Sequence, residues 1–584
     1  MNKGMKRFLA VAACIAIVGN TGISAFSETV SIGPNSTANA NAGSLSNTTD
    51  GTTTEHVWQH GATGSVSVNL SGGTLDVSNY NDTILNDTID ATSGNLNINN
   101  GTFAVDSSSS ISSGVSTNIG SNSIFAVIGG EATLDTNDTW NGYVGIESGD
   151  LLLNNTTKNS TATFTQIGGD TTVIGRNFNL NNESDAVLGG TLTIGNGVNS
   201  SKLTISQGAV ADTSITVEER SNLDITGGYV DIGSTSNWKG TINVSGGEVT
   251  IDNVIKTAGA NFSQTNGKTT ITGTGFDLGN GDDIVSGGTF NIGNKTTTTE
   301  VSVSQGYIES SATVNINRNG KLNVSGGEVN LDAGDSWTGD LNVTDGTLTV
   351  SDLNKKSSAK FTQSGGETTI TTDTFNFNNS SDKVSGGKLN ITSGTTLNIE
   401  QGSIESGAVV KLDNNTTTNI SGGSLALDNT DTWNGNVNVT GGSLALVGIT
   451  NKNGTFTQTK GTTTVTETGF DLNNRNDSIT GGTLNIGDGT TTSSMNVSAG
   501  TIGGNTKVDI KNAGSLNVSG GSVSLGESTT WNGAVNVSNG TLDINSATKT
   551  TSGIFSQSNG TTTVVAPHYP LLSSRRKLPS GATA

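Results

Sequence analysis

The chain has 584 residues, of which only 31% are hydrophobic, 13% charged and 4% aromatic, while 81 are glycine. A globular enzyme of this length is normally richer in apolar residues, yet the regular strand patterning seen throughout is not that of a disordered chain. The formal net charge of −21 argues against nucleic acid and anionic membrane as partners, since both demand basic surface.

Residues 1–27 read as a secretory signal peptide. "MNKGMKR" is positively charged, "FLAVAACIAIVG" is a 12-residue apolar core, and "ISAFSE" offers a small-residue cleavage site after Ala25 or Ser27. The core is too short for an ordinary transmembrane helix, and no later segment is apolar enough to span a bilayer as one. The single cysteine, Cys14, lies inside that core, so the processed chain has no disulfide and must rely on packing and backbone pairing. Without residues 1–27 it carries 25 Lys+Arg against 49 Asp+Glu, a balance of −24 that keeps a long secreted surface soluble.

Residues 28–125 read as an irregular β region. Glycine turns occur at Gly73 and Gly101, but the steps are long. This segment is expected to act as an N-terminal cap over the open strand edge of residues 126–566. Its "EHVWQH" places His56 and His60 at i, i+4, a spacing that suits a metal on a helix. There is no helical pattern and no third ligand, so both are read as loop or cap residues.

Residues 126–566 are repetitive at two scales. Trp-x-Gly recurs at Trp140, Trp238, Trp337, Trp433 and Trp531, with gaps of 98, 99, 96 and 98 residues. Phe-Thr/Ser-Gln keeps step, at Phe164, Phe262, Phe361, Phe456 and Phe555. Inside this period runs a shorter one of about 20 residues: alternating strand, Gly-Gly, Asn-Gly or Asp-Gly turn, alternating strand. "KLNVSGGEVNL", Lys321 to Leu331, is typical. Twenty residues build no core alone, but coils stacked in parallel bury each inward row against the next. The predicted fold is therefore all-β, a parallel β-solenoid of about 20 residues per coil, grouped in five-coil blocks. Some 22 coils would make a rod on the order of 100 Å long. Hairpins and propeller blades use similar turns. The steady step, the few aromatics and the lack of proline from residue 35 to 566 favour the solenoid.

Residues 567–584 break the pattern with "PHYPLLSSRRKLPSGATA", holding three of the four prolines, and read as an aberrant tail of truncated or frameshifted origin.

Three columns carry candidate chemistry. Trp140, Trp238, Trp337, Trp433 and Trp531 would form a line spaced about 24 Å apart, either a ladder of aromatic platforms contacting sugar rings or residues packed at a corner where glycine makes room; the second is expected. Asp185, Asp283, Asp382 and Asp477 hold one place in turns such as "FDLNNRND". They are weak calcium candidates, because one turn does not supply the roughly 6–8 oxygens calcium needs; capping of their own turn is the simpler role. Threonine runs such as Thr296–Thr299 come once per block and read as strand filler. No unique pair of carboxylates marks a hydrolase site, and a surface repeated five times lacks the asymmetry of one. No enzyme activity, catalytic residue, cofactor or metal is expected.

With the signal peptide and the tandem "LNVSGG-x-V" and "W-N-G-x-V-N-V-x-G-G-x-L" coils in place, residues 125–565 resemble the repeat-rich passenger region of bacterial autotransporter and filamentous-haemagglutinin-type adhesins. The resemblance implies a right-handed, pectin-lyase-like parallel β-helix at the surface of a Gram-negative-type cell, used for adhesion, aggregation or biofilm. Its partners would be host or bacterial surface glycans or proteins, or further copies of itself. It also implies an outer-membrane translocator, which this sequence does not encode. The alternative is a polysaccharide-binding or polysaccharide-degrading β-helix.

Overall fold

The computed structural model describes residues 27–32, 36–41, 44–49, 52–57, 65–77, 89–99, 101–107, 109–176, 178–450 and 452–565. Residues 1–26 with the Ala25 cleavage site, Trp58, His60 and the tail 567–584 lie outside them. Ser27 opens the first strand, Ser27–Ile32. The described residues form an all-β parallel β-solenoid of about 22 turns with about 21 residues per turn. No helix long and apolar enough to cross a membrane occurs among them. They fall into two compact units, divided between Leu348 and Thr349.

In the first unit, parallel stacking is under way before residue 126. Ser27–Ile32 pairs in parallel with Ser65–Val77, which pairs in turn with Ile89–Ile98. An antiparallel meander, Ser36–Asn41, Ser44–Thr49 and Thr52–Val57, branches from this stack. His56 lies on its last strand opposite Leu45, not on a helix.

Further on, each coil follows the two-residue period. In the strand Gly320–Leu331, Leu322, Val324, Val329 and Leu331 are buried while the polar residues between them are not. Leu322 lies in register with Val301, and Val301 with Phe276, so apolar residues form columns running from coil to coil. The second unit repeats this with Leu425, Leu444, Thr463, Leu484 and Val508. Burying each Val or Leu contributes roughly 1.5–3 kcal/mol. Because neighbouring coils cover the inward residues, each unit builds a core from few apolar residues, while the last strands, with Ile554, Phe555, Val564 and Val565, stay exposed.

The turns need glycine where coils touch. Gly442 has φ +58°, and a Cβ there would lie 2.2 Å from the Gly423 carbonyl oxygen of the preceding coil. The outward rows are polar and bonded along the stack. In the second unit, Asn398 donates its amide to Asn376, Asn419 to Asn398 and Asn438 to Asn419, at 2.8, 2.9 and 3.0 Å.

Candidate functional site

The Trp-x-Gly motif points inward. Trp140, Trp238, Trp337, Trp433 and Trp531 retain only 1–3% of their surface. Each indole Nε1 donates to the carbonyl of the glycine two residues on, at 2.9–3.2 Å, which satisfies the one polar atom a buried Trp carries. That glycine is required because the preceding coil crosses it: a Cβ on Gly339 would meet the Asn317 and Gly320 carbonyl oxygens, each at 2.2 Å. No indole face is open to a sugar ring. The structure therefore corrects the platform alternative: the five Trp are corner-packing residues. Each of these corners is built from several aromatics. Trp433, Phe456 and Phe470 pack with centroids 5.8–6.1 Å apart, and Trp140, Phe164 and Phe178 at 5.6–5.9 Å.

The four repeated aspartates bond to the backbone of the corner phenylalanines. Asp477 is buried; its Oδ1 accepts from the Phe456 backbone N–H at 2.8 Å and its Oδ2 from the Asn474 N–H at 3.0 Å. Asp185, Asp283 and Asp382 accept from the equivalent donors, Phe164 and Asn182, Phe262 and Asn280, and Phe361 and Asn379, all at 2.7–3.0 Å. Each thus caps its own turn and holds a strand of the preceding coil. Each also has a cation that the sequence reading missed. Lys158, Lys256, Lys355 and Lys452 place Nζ 3.0, 2.8, 2.9 and 2.6 Å from Asp185, Asp283, Asp382 and Asp477, with both side chains at most 3% exposed. Lys452 also lies 5.9 Å from the Trp433 ring centroid.

Each carboxylate already holds two N–H donors and one ammonium, a cation that stands where a calcium ion would have to bind. Among the described residues no group of three or more His, Cys, Asp or Glu could hold a metal. The calcium alternative does not fit these residues.

Burial sets the electrostatics. It lowers the pKa of Lys158, Lys355 and Lys452 against the opposing pull of their aspartates, and raises that of Asp185. In three blocks a carboxamide completes the group. Lys158, Lys355 and Lys452 donate to Oδ1 of Asn181, Asn378 and Asn473 at 2.7, 2.8 and 3.0 Å. In the second block Gly279 stands at that place, and Lys256 keeps, beside Asp283, the bond to the Ala260 carbonyl, at 2.7 Å, that Lys158 and Lys355 also make to Ala162 and Ala359.

A second set of aspartates, also missed, stands two residues before three of the tryptophans. Asp138, Asp335 and Asp431 bind two backbone N–H groups in the same manner: Thr117 and Asp135, Val314 and Asp332, and Val410 and Asp428. Among the described residues no Lys or Arg pairs with them. Desolvation pushes all three up to about 6, against the lowering effect of their backbone donors.

No family model matches the chain, and no curated protein matches it. Among solved structures it is similar to the TibC-catalyzed hyper-glycosylated TibA55-350 fragment, at 12% identity and a TM-score of 0.10, over 79% of this chain and 99% of that one.

Proposed function

We propose that this chain is a structural adhesin-like protein, secreted or held at the surface of a Gram-negative-type bacterium, which uses a repeated outer surface for adhesion, aggregation or biofilm. It acts without catalysis. Its partners are host or bacterial surface glycans or proteins, or further copies of itself, and its export uses an outer-membrane translocator. One observation carries the reading: the five recurring tryptophans and the four Lys–Asp pairs are committed to the interior, while outward rows repeat as neutral Asn and Thr columns such as Asn398, Asn419, Asn438 and Thr457. A surface repeated block after block multiplies weak contacts through effective concentration.

The test is a glycan array and a bead-aggregation assay with the purified chain. Binding that grows steeply with surface density is expected. Monomeric behaviour at every density, with no glycan or cell bound, would overturn the reading.

A further inference from the structure

We propose that Lys158, Lys355 and Lys452 join Asn181, Asn378 and Asn473 through intrachain amide bonds formed by the protein itself, with Asp185, Asp382 and Asp477 carrying the protons. The proposal is independent of the adhesin reading.

Three groups are held together in a water-poor place. Each Nζ sits within 3.0 Å of a carboxamide oxygen and within 3.0 Å of a carboxylate oxygen. The Lys and Asp side chains of the three groups are at most 3% exposed, and in the fourth block the Trp433 ring centroid lies 5.9 Å from Lys452 Nζ. A desolvated lysine beside a carboxylate hands over a proton far more readily than one in water, and the neutral amine is a nucleophile. Held against an electrophilic carbon, it has the proximity advantage of an intramolecular reaction. Asn181 and Asn378 are half-buried and Asn473 is exposed, so the leaving nitrogen has a way out to solvent.

The step balances without a cofactor. Asp takes a proton from the ammonium, and Nζ attacks the Asn Cγ. The Cγ–Nζ bond forms and the Cγ–Nδ2 bond breaks. Of the three ammonium protons, one stays on the new amide and two leave on Nδ2, which departs as ammonium. The carboxylate ends ionised and keeps its two backbone donors. Each bond would fasten one coil covalently to the next.

The molecule contains its own control. Lys256 and Asp283 are placed like the others, but Gly279 offers no carboxamide. Intact-mass measurement and peptide mapping of the full chain decide the matter. The expected result is a deficit of three ammonia molecules, with linked peptides containing Lys158–Asn181, Lys355–Asn378 and Lys452–Asn473 and unmodified Lys256. Asn378→Gly, which copies the second block, should lose one link and keep its β circular dichroism, and Gly279→Asn should gain one. A folded chain at its full sequence mass overturns the proposal. So does loss of water at all four Lys–Asp pairs, which would assign the bond to the carboxylates.

Discussion

Two sets of aspartates, the first fully buried and the second half-buried except at Asp431, do the same structural task on the same scaffold. Asp283 and Asp335 each cap a turn three residues back and pin a strand of the preceding coil. They differ in one neighbour: Asp283 has Lys256, and Asp335 has no cation. Backbone N–H groups alone are therefore enough to hold a carboxyl in this corner, but not to keep it at its ordinary pKa. The first set has a buried ammonium within 3.0 Å; the second set has none and is pushed up to about 6 by desolvation.

Removing the lysine should have the largest effect. Lys256→Met strands the Asp283 charge and is expected to cost about 3–5 kcal/mol, read as a fall in urea midpoint. Adding Asp283→Asn to that variant should recover much of the loss. An unchanged midpoint in the single variant would mean that the Lys256–Asp283 pair adds nothing to stability and that the lysine does not separate the two sets. Trp238→Ala, which opens the aromatic corner, should cost a comparable 3–5 kcal/mol, roughly.

The unpaired set predicts a pH dependence of definite sign. A carboxyl whose folded pKa is about 6 binds more protons folded than unfolded, where its pKa is about 3.9. Stability from Asp138, Asp335 and Asp431 is thus fully present below about pH 4 and lost as pH rises through about 6. Asp431→Asn should remove its share, on the order of 2 kcal/mol between those limits, measured by urea midpoints across pH 4 to 7. A variant with the parental pH slope would show that the carboxylate is stabilised by its two N–H donors after all. The smallest effect belongs to the exposed pair Lys268–Glu248. Replacing both with Thr should move stability by less than about 0.5 kcal/mol.

The fold was legible in the sequence because strand period and glycine step are local signals. "KLNVSGGEVNL" states which residues face inward, and the structure buries those same four. The site was half legible. Asp185, Asp283, Asp382 and Asp477 stand in a column by spacing alone, but their lysines lie 27, 27, 27 and 25 residues earlier in chain order. Lysine is also the residue least expected inside a protein, so nothing local distinguishes Lys355 from its exposed neighbour Lys356. Asp431 is hidden differently: it abuts the Trp motif, where the indole is the more conspicuous signal. Direction is what the Trp period could not supply, since a column faces in or out with the same spacing. The Nε1–carbonyl bond and the crowded glycine settle it.

That bond has a genetic consequence. Each Trp satisfies its own N–H within three residues, and each Lys finds its Asp within the same block. Unequal recombination between copies would therefore add or delete whole blocks without orphaning a buried donor or charge. Natural length variants of this gene are expected to differ in frame, in steps of about one block, with breakpoints anywhere along the repeat.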